Sequence, residues 1–318
     1  MALLVARYPS PLRYPGGKQR LSPFLREILR ANGLEGREYA EPFAGGAGVA
    51  IDLLLGGDAS RVHLNDSSFP IYAFWHSVLL HSDEFCNRIR AASLTVQEWQ
   101  KQRDILRHPG AHCPVDVGFS AFYLNRCNRS GVLSGGLIGG LKQTGAWRMD
   151  ARFPRNELIR RVELIAQEAH RISITNLDAE EFLSTSSRRF PADTLIYCDP
   201  PYYDKSNRLY LDRYARGDHA RLACFITELP NNWVVSYDAA PAILDLYAGN
   251  DLFTYSLQYN ASTVRKGTEV FVFSRSLVLP SSSSLEFIDL PLRKLLAATS
   301  SSTSSNKEDS VRVGACWP

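Results

Sequence analysis

The chain has 318 residues, of which 45% are hydrophobic and 22% charged, so it can bury a full core in one large domain or two smaller ones. No stretch approaches the roughly twenty consecutive apolar residues that a membrane span requires, and the polar start does not suit a signal peptide. We therefore expect a soluble, cytoplasmic protein. The net charge of +3 is too small to mark the whole surface as a nucleic-acid binder, so only local clusters can indicate one.

The cysteines and histidines do not indicate a metal site. The six cysteines are scattered, and no pair has the spacing of about two to four residues that zinc sites favour. The seven histidines form no HExxH motif or other ligand-like pair. We expect reduced, structural thiols and no bound metal.

Hydrophobic periodicity predicts alternating helices and strands along most of the chain. In chain order, the patterns predict a helix over 19–30, a strand over 39–43, a helix over 49–55, a strand over 61–64, a helix over 69–81, a helix over 158–169, a strand over 172–174, a strand over 195–198, a helix over 219–229, a strand over 233–236, and a pair of strands over 252–257 and 269–274. This alternation predicts a doubly wound, mostly parallel α/β sheet.

Two segments depart from this pattern. Residues 82–156 are rich in Arg, Gly, Asn and His, and we interpret them as an inserted subdomain between two parts of the main domain, 1–81 and 157–280. Residues 281–318 are Ser-rich and lack apolar periodicity, which predicts a flexible tail. A short ordered piece around 285–296 is left open.

The most specific motif is Asp199-Pro200-Pro201-Tyr202, which follows the apolar strand 195–198 directly. In open α/β sheets, ligands bind at the carboxyl ends of the strands. The two prolines fix the backbone and remove amide donors, which predicts a stiff turn. The alternative is a simple proline turn after a core strand.

This turn suits the alkylation of an amine. Such an amine needs acceptors aimed at its N–H bonds, so that its lone pair faces the incoming methyl group and the developing positive charge is stabilised. Asp199 and the Pro200 carbonyl fit that need. The ring of Tyr202 or Tyr203 is suited to stack on a base that has been taken out of a duplex.

Residues 41–48, EPFAGGAG, place a glycine loop between a strand and a helix. Such a loop lets the backbone approach a nucleotide-containing cofactor, and the helix start offers free amides. The sequence from Gly46, GAGVAI, lacks the third glycine of a dinucleotide fingerprint. Asp66 follows the next strand, where an acid accepts hydrogen bonds from ribose hydroxyls; a helix N-cap is the equal alternative.

Lys18 ends the motif YPGGK at 14–18, just before the first predicted helix. A lysine here could hold the carboxylate of a methionine-bearing cofactor. A solvated lysine at a helix start is the alternative.

Taken together, the motifs RYPGGK, EPFAGGAG, LND, NLDAEEFL and DPPYY resemble, in kind and order, those of the Dam-like, or D12-class, DNA adenine methyltransferases. The resemblance covers roughly residues 8–275. It implies a Rossmann-like, S-adenosylmethionine-dependent methyltransferase sheet with an inserted target-recognition subdomain. It further implies methyl transfer from S-adenosylmethionine to the N6 amine of a flipped-out adenine in double-stranded DNA, directly and in line.

The resemblance also implies roles for individual residues. Phe43 and Gly45 match the loop under the methionine moiety, Asp66 the ribose-binding acid, and Asp178 the aspartate that contacts the cofactor's adenine. Tyr14 stands where the family usually has tryptophan. The implied cofactor-binding residues are Tyr14, Lys18, Phe43, Gly45, Asp66, Asp178 and Asp199, and the implied catalytic residues are Asp199, Pro200, Pro201 and Tyr202.

Residues 122–126 and 128–131 resemble the family's recognition hairpin, and the glycine-rich 135–140 suggests a flexible loop that orders on DNA. The best-known members have a Tyr-Asn or Phe-Asn pair where Arg129-Ser130 stands, and an arginine near Ser134, so no GATC target is inferred. Nearby basic residues suit phosphate contacts, although a solvated basic face is the alternative. The DNA-binding residues implied are Tyr123, Asn125, Arg126, Arg129 and Ser130, and the nearby basic residues are Lys142, Arg148, Arg152, Arg155, Arg160 and Arg161.

Three alternative functions are weighed against adenine methylation. The amine could belong to cytosine, at N4, because the DPPY turn recognises geometry more than ring identity. A catalytically silent DNA-binding protein would have no physical reason to keep Asp199 with both prolines. A nicotinamide-dependent oxidoreductase suits the α/β pattern but not the glycine spacing. For partners, we expect double-stranded DNA, a monomer in the free state, and a possible cognate restriction enzyme.

Overall fold

The computed structural model describes residues 9–13, 18–185, 190–203, 214–259, 265–280 and 292–295. Within these ranges the helices are α1 (Ser22–Ala31), α2 (Gly48–Gly56), α3 (Phe69–Leu80), α4 (Ser82–Ala91), α5 (Val96–Arg107), α6 (Pro114–Cys127), α7 (Arg155–Gln167), α8 (Ala179–Ser184), α9 (Arg216–Thr227) and α10 (Pro241–Leu246). The strands are β1 (Arg37–Glu41), β2 (Ala59–Asn65), β3 (Ile172–Thr175), β4 (Leu195–Cys198), β5 (Asn232–Asp238), β6 (Asp251–Tyr259), β7 (Arg265–Phe273) and β8 (Arg293–Lys294).

The eight strands of the described ranges form one sheet in the order β3-β2-β1-β4-β5-β7-β6-β8. The first five in this order pair in parallel, and β7, β6 and β8 add antiparallel strands at the other side. The chain order reverses between β1 and β4, which are direct neighbours. In doubly wound sheets, this reversal opens a crevice at the carboxyl ends of the strands.

The central strands are buried on both faces because their neighbouring residues point to opposite sides of the sheet. In β4, Leu195 and Tyr197 join a core with α1, α2, α3, α6 and α7, whereas Ile196 and Cys198 join a core with α8, α9 and α10. This explains why the strand is a continuous apolar run in the sequence. The predicted doubly wound, mostly parallel α/β sheet is confirmed.

The segment 82–156 shares its core with the main domain. Phe85, Trp99 and Phe122 belong to the same buried cluster as Phe24 of α1 and Tyr39 of β1. Helix α6 lies directly against α3: a Cβ atom added at Gly118 would sit 2.4 Å from the carbonyl oxygen of Ala73. The boundaries of the inserted subdomain stay a prediction, but its helices pack onto the sheet domain rather than apart from it.

One expectation from the sequence needs correction. Residues 122–126 lie in helix α6 and not in a hairpin; the hairpin-like turn follows, closed by the bridge between Asn128 and Leu137. Strand β8, which pairs with β6, lies within the piece around 285–296 that the sequence left open as ordered. The rest of the predicted tail lies outside the described residues. None of the described helices is both long and apolar enough to cross a membrane.

Candidate active site

A cavity opens at the carboxyl edge of the sheet, at the reversal between β1 and β4. The loops that follow β1 and β4 form two of its walls, and the turn that follows α6 forms another. Both polar and apolar side chains face the cavity. The lining residues used below are Lys18, Gln19, Glu41, Phe43, Gly46, Asp66, Asn125, Gly131, Val132, Leu133, Ser134, Tyr197, Asp199, Pro201 and Tyr214.

The glycine loop after β1 is held in shape by its own backbone groups. Gly45 has a φ of 46°, its amide donates to Asp66 Oδ2 at 2.8 Å, and its carbonyl accepts from the indole of Trp75 at 2.9 Å. Gly45 therefore shapes the loop, whereas its neighbours Ala44, Gly46 and Ala47 line the cavity. Gly48, the first residue of α2, passes so close to Gln19 that a Cβ atom there would lie 2.9 Å from the Gln19 Cβ.

Asp66 holds two backbone segments beside the cavity, and its predicted role as the ribose-binding acid stays a prediction. Its Oδ2 holds the glycine loop, and its Oδ1 accepts from the Ser68 amide at 2.9 Å, just before α3 begins. The same side chain lines the cavity.

Asp199 lies at the end of β4 in a buried network of charged and polar groups. Lys18 Nζ is 3.0 Å from Asp199 Oδ1, and Ser236 Oγ donates to the same oxygen at 2.7 Å. The Tyr197 hydroxyl lies 2.8 Å from Ser236 Oγ. Both contacts of the Asp199 carboxylate, with Lys18 and with Ser236, are made by Oδ1. Within the described part of the chain, Oδ2 has no hydrogen-bond or ion-pair partner.

Lys18 also contacts a second carboxylate that the sequence analysis missed, Glu269 on β7. Lys18 Nζ is 2.6 Å from Glu269 Oε2, and Tyr255 donates to the same oxygen. Glu269 is 1% exposed. A lone acid in the apolar strand run EVFVF was the available signal, since a buried carboxylate requires a partner.

The pKa values in this network follow from burial and from the shared lysine. Burial raises the pKa of Asp199, and Glu269 adds to the effect, whereas Lys18 and Ser236 oppose it. For Lys18, burial acts to lower the pKa, but Asp199, Tyr255 and Glu269 outweigh it and raise the pKa well above its ordinary value. The lysine therefore stays charged and Asp199 is a stronger base than a solvated aspartate.

The remaining residues of the 199–202 turn differ in their access to the cavity. Pro201 lines it, whereas Pro200 is buried outside the lining. Tyr202 is 6% exposed, and its hydroxyl donates to Glu269 Oε1 at 2.5 Å. Its ring is thus fixed behind the turn and does not face the cavity. Tyr203 packs against His219, with ring centroids 5.2 Å apart.

A second buried acid of the cavity, Glu41, was quoted in a motif but was given no role in the sequence analysis. It ends β1, is 4% exposed, and accepts at Oε1 from the Tyr39 hydroxyl at 3.0 Å and the Ala50 amide at 3.1 Å. Burial raises the pKa of Glu41 to about 8.

Two aromatic rings face the other end of the cavity. Phe43 and Tyr214 meet edge to face, with centroids 6.0 Å apart, and both line the cavity. Asp178 is not part of the lining: it is exposed and caps α8, where its Oδ1 accepts from the Glu180 amide at 2.8 Å. Tyr14 lies outside the described residues.

The comparison with known protein families decides what this site belongs to. The family model described as D12 class N6 adenine-specific DNA methyltransferase matches residues 14–261, well over half of the chain. The chain belongs to this family. No curated protein matches it significantly. The protein is therefore an enzyme that methylates the N6 amine of adenine in DNA, and the family does not favour cytosine, a silent binder or an oxidoreductase.

In this methyltransferase, three of the five residues expected to contact DNA are buried. Tyr123 is 0% exposed and donates its hydroxyl to the Ser93 carbonyl at 2.8 Å. Arg126 is 7% exposed and donates to the carbonyl oxygens of Arg152 and Pro11. Burial, together with nearby arginines, lowers the pKa of Arg126 to about 9. These two side chains hold α6 in place, which corrects the expectation that they touch DNA.

Asn125 is also a scaffold residue. It is 1% exposed, accepts from the Arg13 amide at 2.7 Å, and donates to the carbonyl oxygens of Arg13 and Gly131. It reaches the methyltransferase cavity but not the outer surface. Because Asn125 lines the cavity, its predicted contact with DNA stays a prediction.

Arg129 and Ser130 are exposed at the start of the turn after α6. Ser130 has a φ of 56°, and Gly131 follows with 76°, so the chain bends sharply outward from the helix end. The glycine-rich 135–140 forms further turns, to which Gln143 donates at the Ile138 and Gly140 carbonyls. Arg129 and Ser130 are thus the exposed members of the predicted DNA-binding set, and their contact with DNA stays a prediction.

Proposed function

We propose that S-adenosylmethionine is the methyl donor and that the target adenine is flipped out of double-stranded DNA into the same cavity. One observation carries the proposal: among the described residues, the contacts of the Asp199 carboxylate are confined to Oδ1, which leaves Oδ2 available to the N6 amine. We infer the Pro200 carbonyl as the second acceptor from its place between Asp199 and Pro201, which both line the cavity, although Pro200 is not itself part of the described lining. Because both acceptors stand at the end of a core strand, they are held before the substrate arrives.

The cavity lining suits S-adenosylmethionine. Asp66 supplies an acid for the ribose, and Phe43 and Tyr214 supply apolar surface for a purine. Gln19 also lines the cavity, and within the described residues its buried Nε2 donor has no hydrogen-bond partner. An unpaired buried donor is costly, so it supports a ligand with acceptor oxygens at this point. When bound, S-adenosylmethionine supplies an electrophilic methyl group on a positively charged sulfur.

The residues of the chain act by positioning and by charge. Asp199 Oδ2 and the Pro200 carbonyl accept the two N6–H bonds, which turns the N6 lone pair toward the methyl carbon. As the N–C bond forms and the C–S bond breaks, positive charge moves onto N6. Asp199, with its raised pKa, then accepts the proton that N6 loses. No covalent enzyme intermediate is required.

We infer that Tyr202 and Lys18 support the turn. Tyr202 is bonded to Glu269 and so braces the turn from behind, in place of the base stacking expected from the sequence. Lys18 holds Asp199 Oδ1, which fixes the carboxylate with Oδ2 outward. The monomeric state, the cytoplasmic location and a cognate restriction enzyme stay predictions.

The test is to incubate the protein with adenine-containing duplex DNA and S-adenosylmethionine that carries a labelled methyl group. After nuclease digestion, we expect the label in N6-methyldeoxyadenosine when the duplex contains adenine, and no label when the duplex lacks adenine. Label in N4-methyldeoxycytidine, or no transfer at any DNA concentration, would refute the proposal.

A further inference from the structure

A second concavity lies on the outer side of the turn that follows α6. The turn runs from Asn128 to Leu137 and has two faces. Residues 131–134 line the active-site cavity, whereas Arg129, Gly136 and Leu137 line the outer concavity. Its opposite wall is helix α5, with Trp99, Gln100, Arg103, Asp104 and Arg107, and the glycine turns add Gly140 and Leu141. We call this concavity the α5 groove.

One asparagine ties the two walls together. The Trp99 indole donates to Asn128 Oδ1 at 2.7 Å. The Asn128 amide in turn donates to the carbonyl oxygens of Val132 and Leu133, both of which line the active-site cavity. The α5 groove is therefore built on the same hydrogen-bonded turn as the rim of the active site.

The charge of the α5 groove is positive. It contains three arginines and one aspartate, and that aspartate, Asp104, is 2.6 Å from Arg107. Arg103 lies over the Trp99 ring, with its guanidinium carbon 4.6 Å from the centroid. Within the described residues, neither Arg103 nor Arg129 has a carboxylate partner. Two guanidinium groups on opposite walls are thus free to bind an anion.

The surrounding segment has the same bias. Residues 82–156 carry eleven Lys and Arg against six Asp and Glu, a net charge of +5, although the whole chain carries only +3. The net charge of +3 for the whole chain is too small to indicate a nucleic-acid surface, but a local excess of this kind does indicate one.

We propose that the α5 groove binds the phosphate backbone of the DNA that flanks the flipped adenine, with Arg103 and Arg129 as the phosphate contacts. This rests on the proposed function, because the groove shares the 128–137 turn as a wall with the cavity that is proposed to receive the flipped base. An acidic protein segment is the competing occupant. The groove favours DNA because its wall is the rim of the base-binding cavity.

The test uses the salt dependence of binding to a short duplex of arbitrary sequence, since phosphate contacts do not depend on sequence. Affinity is measured by fluorescence anisotropy at several salt concentrations for the wild type, Arg103→Gln, Arg129→Gln and the double variant. The slope of log affinity against log salt falls in magnitude by about 0.9 for each phosphate contact that is lost. We therefore expect the slope of the double variant to be smaller in magnitude than that of the wild type by about 1.8. Arg103→Lys, which keeps the charge, should retain the slope.

The matched control is Arg90→Gln together with Arg275→Gln, because both arginines are exposed and lie outside the α5 groove. An unchanged slope in the double variant, or an equal loss in the control, would overturn the proposal; in the first case the groove would be left to an acidic partner. If the wild type methylates duplex DNA but the double variant keeps the wild-type slope, the proposed binding of DNA by the α5 groove is refuted and the proposed function is not. A wild type that methylates no DNA refutes the proposed function.

Discussion

At the residue scale, one lysine is shared by two buried carboxylates. Lys18 lies between Asp199 and Glu269, so the cluster carries one net negative charge when both acids are ionised. Glu269 contacts Lys18 and accepts from the hydroxyls of Tyr202 and Tyr255. A negative cluster beside the cavity stabilises the positive charge that develops on N6. Glu269 thus acts through Lys18 and Tyr202 and does not face the cavity.

Glu41 should make the stability of the protein depend on pH. Its pKa is about 8 in the folded protein against an ordinary value of 4.5, so between these values the folded state holds a proton that the unfolded state has lost. The free energy of unfolding should therefore decrease as the pH rises from about 4.5 to about 8. Glu41→Gln removes this contribution.

The measurement is denaturant unfolding of wild type and Glu41→Gln at pH 5 and pH 8. We expect the wild type to lose more stability between the two values than the variant. Equal losses in the two proteins would show that Glu41 is ionised in the folded state at pH 5 as well. Glu35→Gln, at an exposed residue just before the same strand, is the control.

The sequence predicted the parts of the site that depend on local motifs. Asp199, Phe43 and Asp66 line the cavity because each follows a strand at the sheet reversal. Glu269 and Ser236 come from β7 and β5, and their meeting with Lys18 depends on pairing between distant strands. The spacing of residues along the sequence does not reveal contacts between such distant strands.

At the element scale, the strands were predicted closely and the helices of the inserted segment were not. The strand 195–198 coincides with β4 because a fully buried parallel strand is an apolar run. Helix α6 is buried along its length from Val117 to Cys127, so it lacks the alternation of apolar and polar faces that reveals a helix. Its aromatic residues Phe119, Phe122 and Tyr123 pack against one another.

The close approach of α6 and α3 gives a prediction for Gly118. An alanine there would place its Cβ 2.4 Å from the Ala73 carbonyl oxygen, a backbone atom that cannot rotate away. Although alanine favours a helix by about 1 kcal/mol over glycine, we expect a net loss of stability of about 1–3 kcal/mol from overpacking. Urea unfolding measures this loss.

The control for Gly118→Ala is Gly110→Ala, because a Cβ at Gly110 meets nothing within 4 Å. The Gly110→Ala variant should have the same midpoint of urea unfolding as the wild type. A Gly118→Ala protein as stable as the control would mean that α6 and α3 separate easily, contrary to a shared core.

At the scale of the whole molecule, charge and chemistry are distributed unevenly. With +5 in residues 82–156 and +3 in the chain, the rest of the protein has a net charge of −2. The basic segment and the 199–202 turn both line the active-site cavity, the basic segment through residues 131–134 of the 128–137 turn. We expect the enzyme to approach DNA with this side, since like charges repel the other surfaces.

The central claim is that Asp199 Oδ2 holds the N6 amine, and the most direct test is methyl transfer by Asp199→Asn. Lys18 keeps Glu269 as a partner in this variant, so the fold and the binding of S-adenosylhomocysteine, measured by calorimetry, should persist. The rate at saturating DNA and donor should fall by at least about 10²–10³-fold. Asp245→Asn, an exposed aspartate outside the cavity, should match the wild type. A folded Asp199→Asn protein that transfers methyl groups at the wild-type rate would contradict the account.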